Sequence, residues 1–131
     1  MSTLKTIARW ILALGMIGAG VNHFVDPAFY VKIMPPYLPW HLELVYISGV
    51  AEIAGGFGLL VSKLRRAAAW GLIALFVAIF PANIYVYQHQ ELIPEAGPTL
   101  HLLRLPLQAV LIAWAWWHTS PDGVAAQRAV D

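Results

Sequence analysis

The sequence predicts an all-α integral membrane protein, a four-helix bundle with a short interfacial helix in its first outer loop. Three observations carry this. Of 131 residues, 60% are hydrophobic and only 11% charged, and the mean hydropathy is +0.66, a balance no ordinary soluble domain of this size matches. Apolar stretches at residues 7–24, 41–61, 67–87 and 100–118 each approach the roughly 20 helical residues that cross about 30 Å of hydrocarbon. The links between them are too short for a separate soluble module, so residues 1–119 read as one domain and residues 120–131 as a cytoplasmic tail.

Lys5 and Arg9 stand at the start of the first stretch. That pattern also opens a secretory signal, but here the apolar run continues into Asn22, His23 and Phe24 without a convincing cleavage site, and it reads as a span. Lys63, Arg65 and Arg66 lie between the second and third spans and Arg128 lies in the tail, whereas Lys32 is the one basic residue in the loops of the other side. The positive-inside rule therefore places both termini in the cytoplasm.

In the first outer loop, Asp26 followed by Pro27 has the form of a helix cap and first turn. Residues 28–34 allow two helical turns, and Pro35 with Pro36 stops them. Phe29, Tyr30, Tyr37 and Trp40 are residues of the membrane interface. The segment reads either as a short helix lying over the outer mouth of the bundle or as a plain connector with interfacial anchors.

The second span carries Glu52 near its middle. An uncompensated carboxylate there costs roughly 2.5–3.5 kcal/mol, so such residues face a bundle interior and mark function. Helical spacing puts Ser48, Glu52, Gly55 and Leu59 on one face and makes Ala51, Gly55 and Gly58 a small-residue strip for close helix approach. In the third span, Pro81 deprives the Val77 carbonyl of its donor and predicts a kink. Asn83 and Tyr87 follow it at i, i+4 spacing, on one face. The second outer loop holds Glu91 and Glu95. The fourth span starts near Thr99, a plausible cap, contains His101, Arg104 and Gln108, and ends in the aromatic belt Trp114, Trp116 and Trp117 with His118.

Counting about 1.5 Å per residue from the outer helix ends puts Glu52 roughly 16 Å deep, Gln108 roughly 12 Å and Arg104 about 6 Å. Asn83, Asn22 and His23 also fall in the outer half. Lipid offers no hydrogen bonds, so these groups must meet each other or a wet pocket. The expected pairing is Glu52 with Gln108 and Arg104. An Arg104 fork on Glu52 makes a fixed anionic anchor; an Arg104 turned to Glu43 leaves Glu52 free to carry a proton; a purely structural ion pair is the third alternative. The candidate ligand-binding residues are Glu52, Arg104, Gln108, Asn83, Tyr87, His23, Asn22 and Ser48, and no catalytic set is recognisable.

Composition also excludes. The absence of cysteine removes thiol chemistry, disulfides and thiolate metal sites. A dispersed net charge of +1 gives no footprint for nucleic acid. His23, His41, His89 and His101 stand at outer helix ends, but none forms an HxxxH or HxxE pair with metal-ligand spacing, so no metal site is expected.

Gly20-Val21-Asn22-His23-Phe24 before Pro27, Ala51-Glu52-Ile53-Ala54-Gly55-Gly56 with Gly58-Leu59-Leu60, and Arg65-Arg66-Ala67-Ala68-Ala69 together resemble the DoxX-like family of small four-helix bacterial membrane proteins. The resemblance runs from about Ala8 to Trp117. It implies a four-helix bundle in the bacterial inner membrane, with Glu52 and His23 on motif positions, and no settled activity. Some relatives are linked to quinone-dependent sulfur oxidation or to membrane redox complexes. The chain itself supplies no redox centre. The expectation is thus an auxiliary protein holding a quinone or other small amphiphile in an outward-facing pocket. The alternatives are a quinone-binding subunit of an oxidoreductase, a structural or assembly subunit of a larger membrane complex or homo-oligomer, and a small proton-linked transporter.

Overall fold

The computed structural model describes residues 3–120, and all of the tail expected at residues 120–131 except Ser120 lies outside the described residues. Its helices are α1 (Thr3–Val25), α2 (Pro27–Lys32), α3 (His41–Leu60), α4 (Arg65–Gln88) and α5 (Pro98–Trp117), with a 3₁₀ turn at Gln90–Leu92. α1, α3, α4 and α5 are long and apolar enough to cross a membrane. A helix satisfies every backbone group internally, which is the condition for spanning lipid, and the chain is a multi-pass membrane protein.

Each long helix packs on its neighbour in sequence, and the α1–α3 contact is the closest. Glycine explains that closeness. A Cβ on Gly20 would stand 2.5 Å from the Gly49 carbonyl oxygen, and one on Gly56 would stand 2.7 Å from the Ala13 carbonyl oxygen. Backbone meets backbone there, as small residues permit between membrane helices. Gly55 and Gly58 face α4 instead, against Leu72 and Ala68. Ala51, expected in the same strip, is exposed. α5 reaches α1 through a long side chain, the Trp114 indole N–H donating to the Ala8 carbonyl at 3.0 Å.

The main core joins Leu12, Ala13 and Met16 of α1 to Leu59, to Ala69, Leu72 and Phe76 of α4, and to Ala115 of α5. Arg65 Nε donates to the Leu59 carbonyl at 2.7 Å and so satisfies the last turn of α3. At the end that carries α2, a second cluster of Ile33, Val86 and Ile93, joined by Phe29 and Leu92, pins that short helix against α4 and the 3₁₀ turn.

Local details depart from expectation in instructive ways. Asp26 precedes α2 but makes no side-chain cap. Its N–H instead donates to Asn22 O at 2.9 Å, continuing the α1 ladder, and the preset φ of Pro27 starts the new helix. α2 ends at Lys32, two residues before the expected limit, in a turn where Met34 N–H donates to Val31 O. The cap of α5 is Gly97, followed by Pro98 in the first turn, which leaves Thr99 inside the helix. α4 runs through Pro81. In the preceding turn the Phe76 carbonyl, next to the Val77 carbonyl that Pro81 leaves without a donor, accepts Gln108 Nε2 at 2.6 Å. Trp40 enters α3 with φ of 51°, a left-handed conformation rare for bulky residues, between Pro39 and His41.

Candidate functional site

A cavity of about 170 Å³ lies under α2, lined by His23 of α1, Tyr30, Ile33 and Met34 from α2 and its exit, Val45, Ser48 and Glu52 of α3, Ile79, Ala82 and Asn83 of α4, and Arg104 of α5. The glycine contact between α1 and α3 sets its floor. Gly20 and Gly49 let the two backbones meet, which carries His23, three residues beyond Gly20, onto the face of α3. His23 Nε2 there stands 3.2 Å from Glu52 Oε2, with both side chains buried. On the other edge of the ring, Nδ1 lies 2.8 Å from the Val45 carbonyl oxygen and 3.1 Å from Ser48 Oγ. A carbonyl only accepts, so Nδ1 carries a hydrogen and donates. His23 and Glu52 thus face each other across α1 and α3 at ion-pair distance, and Oε2 has no hydrogen-bond partner.

The opposite wall is an amide relay. Arg104 Nη2 donates to Asn83 Oδ1 at 3.2 Å, and Asn83 Nδ2 donates to Gln108 Oε1 at 2.8 Å. Gln108 is then held by its bond to Phe76 O, behind the pocket in a cleft between α4 and α5. The expected pairing of Glu52 with Arg104 and Gln108 is therefore corrected: Asn83 intercepts both, and the partner of Glu52 comes from α1.

Of the other expected site residues, Ser48 lines the cavity, and Asn22 lies outside it. Asn22 Nδ2 donates to Tyr30 Oη at 2.7 Å and ties α2 to the end of α1. The Tyr30 ring covers that of His23, with centroids 4.0 Å apart. Tyr87 is a correction as well. It is 38% exposed because the neighbouring Val86 takes the seat beneath α2, which turns Tyr87 away from the pocket. Tyr30, Ile33, Met34, Val45, Ile79 and Ala82 had not been expected in the site. The signal for Tyr30 was its place in the short helix before the proline pair, but no helical period spans the break at Pro27.

The histidines stay in separate neighbourhoods. His89 Nδ1 pairs with Tyr85 O at 2.9 Å, and His101 Nε2 lies 3.2 Å from Ile93 O. Among the described residues, no three of His, Cys, Asp or Glu come together as metal ligands would.

The Asn22–Tyr30 bond predicts a local effect. Tyr30→Phe should speed amide hydrogen exchange across residues 27–32 while leaving α3 unchanged, at a cost of about 0.5–1.5 kcal/mol. Unaltered exchange in α2 would show that the bond does not hold the cover.

Fold and site together define a small four-span membrane protein with a polar pocket roofed by a short helix at one end of its bundle. The chain belongs to the family described as domain of unknown function (DUF8561), which matches residues 12–119. No curated protein and no solved structure matches it.

Proposed function

We propose that this protein is an auxiliary membrane protein whose pocket holds the head of a small amphiphile, a quinone being one such molecule, with α2 facing outward and both termini in the cytoplasm of a bacterial cell. The observation that carries this is the cavity itself. Its roughly 170 Å³ exceeds the roughly 150 Å³ that accepts benzene in an engineered apolar core, so it suits one ring with its substituents while a tail stays in lipid. Convergent polar groups on mostly apolar walls are the usual make-up of a small-molecule site. Arg104 and the His23–Glu52 pair would meet oxygen atoms of the head, and Tyr30 would close over it. The distribution of Lys and Arg supports the orientation, and the resemblance to DoxX-like proteins supports the inner-membrane setting. Redox chemistry on such a ligand would belong to a partner chain.

A second reading, docking to a larger complex, draws on Gly15 and Gly18, where an added Cβ would meet nothing within 4 Å. That open face of α1 leaves room for a foreign helix. One experiment separates the two readings: native mass spectrometry from mild detergent with organic extraction, comparing the wild type with Ala82→Phe, which fills the cavity. A molecule held by the wild type and lost from the variant supports the pocket. Two empty preparations that bring down the same complex would reject it in favour of docking.

A further inference from the structure

We propose that the head bound in this pocket is a monoanion, a carboxylate or phenolate on an amphiphile, with Arg104 as its counter-ion; this rests on the reading that the pocket binds an amphiphile at all. The charge count leads there. The titratable or charged groups lining the cavity are His23, Tyr30, Glu52 and Arg104. Tyr30 is a phenol engaged with Asn22. His23 donates from Nδ1 to a backbone carbonyl and faces Glu52 across 3.2 Å, and we take this close pair to hold one proton. Glutamic acid beside neutral imidazole and glutamate beside imidazolium both sum to zero, so the pair adds no net charge.

Arg104 is then left over. Its guanidinium is permanently charged. Its hydrogen bond goes to Asn83 Oδ1, a neutral amide oxygen, and among the described residues it makes no ion pair. A half-buried cation within a membrane span, facing a cavity and lacking a counter-ion, is costly, and an incoming anion offsets that cost. A guanidinium presents five donors in a planar fork that matches a carboxylate. Asn83 spends one of its two Nδ2 hydrogens on Gln108 and is neutral, so the guanidinium is the group that supplies charge to the anion. Ile33, Met34, Val45, Ile79 and Ala82 supply an apolar wall for the ring or first methylenes behind the charge.

The test uses the full chain in zwitterionic nanodiscs, with three probes of one shape: para-nonylbenzoate, para-nonylbenzamide and para-nonylbenzylamine. Occupancy is read by native mass spectrometry and corrected for partition into empty nanodiscs. The benzoate should bind at least tenfold more tightly than the amide, and the amine more weakly than either. Arg104→Gln should bring the benzoate-to-amide ratio near one, whereas Arg104→Lys, which keeps the charge, should preserve most of the preference. Equal binding of benzoate and amide by the wild type overturns the anion assignment while leaving an amphiphile pocket in place. Tightest binding by the amine overturns it too, by showing that Glu52 is ionised and dominates the cavity. If no probe binds, the pocket reading and the anion assignment fall together.

Discussion

Gly49→Leu is expected to destabilise the bundle by at least about 3 kcal/mol, at the top of the range for overpacked interiors. A Cβ at position 49 would stand 2.8 Å from His23 Cβ, 3.0 Å from the Gly20 carbonyl oxygen and 3.1 Å from Phe24 Cε2. The Phe24 ring can turn, but His23 Cβ and the Gly20 carbonyl are fixed to the α1 backbone, so α1 and α3 must separate. Membrane helices are held together by packing rather than by the hydrophobic effect, and separation removes most of what joins this pair. The same step draws His23 away from Glu52. Unfolding midpoints in detergent read the effect directly, with Gly18→Leu as the control. Position 18 has open space around it, so Gly18→Leu should stay within about 0.5 kcal/mol of the wild type. Equal midpoints for Gly49→Leu and the wild type would mean that the helices do not meet at these glycines. The contacts also change how the other glycines are read. Intolerance at Gly55 or Gly58 reports packing on α4, so it is no sign of an external partner.

His23→Leu should produce the second large effect, a loss of about 3–5 kcal/mol, because removing one member of a buried pair strands the other. Glu52 is 6% exposed, and its Oε2 has no hydrogen-bond partner, with His23 Nε2 at ion-pair distance, 3.2 Å away. The variant would leave a carboxyl at mid-span facing leucine and a slack Tyr30 ring. The double variant His23→Leu with Glu52→Leu should recover at least half of the loss, since an apolar pair removes the stranded group. Chemical unfolding of the four members of this cycle measures the coupling. A double variant less stable than His23→Leu alone would show that the two residues act independently.

The four spans were legible because the bilayer imposes a length and a composition that each segment must meet alone, without reference to its neighbours. Residues 41–61 were expected and His41–Leu60 is found; residues 67–87 were expected and Arg65–Gln88 is found. Glu52 also stood out, since a carboxylate inside an apolar helix is anomalous whatever surrounds it. The helix over the pocket was legible in part. Pro27 and the Pro35–Pro36 stop bound it locally, but its seat against Val86 and Ile93 joins elements far apart in the chain.

Partnership was not legible. Helical spacing relates residues three, four or seven apart on one helix and says nothing about how two helices rotate against each other. Arg104 and Glu52 matched in charge and in approximate depth, yet the Arg104 guanidinium bonds Asn83 of α4 instead of Glu52. His23 looked like one of several interfacial histidines until the meeting of Gly20 and Gly49 brought it onto α3. The sequence by itself determined a multi-pass four-helix protein with a polar group of residues toward one end, because hydrophobic length and the cost of buried charge act within single segments. Only the tertiary structure decided that Glu52 faces His23, that Tyr87 faces outward, and that Arg104 bonds Asn83 and makes no ion pair among the described residues, because those outcomes depend on which helix faces approach closely enough to exclude lipid.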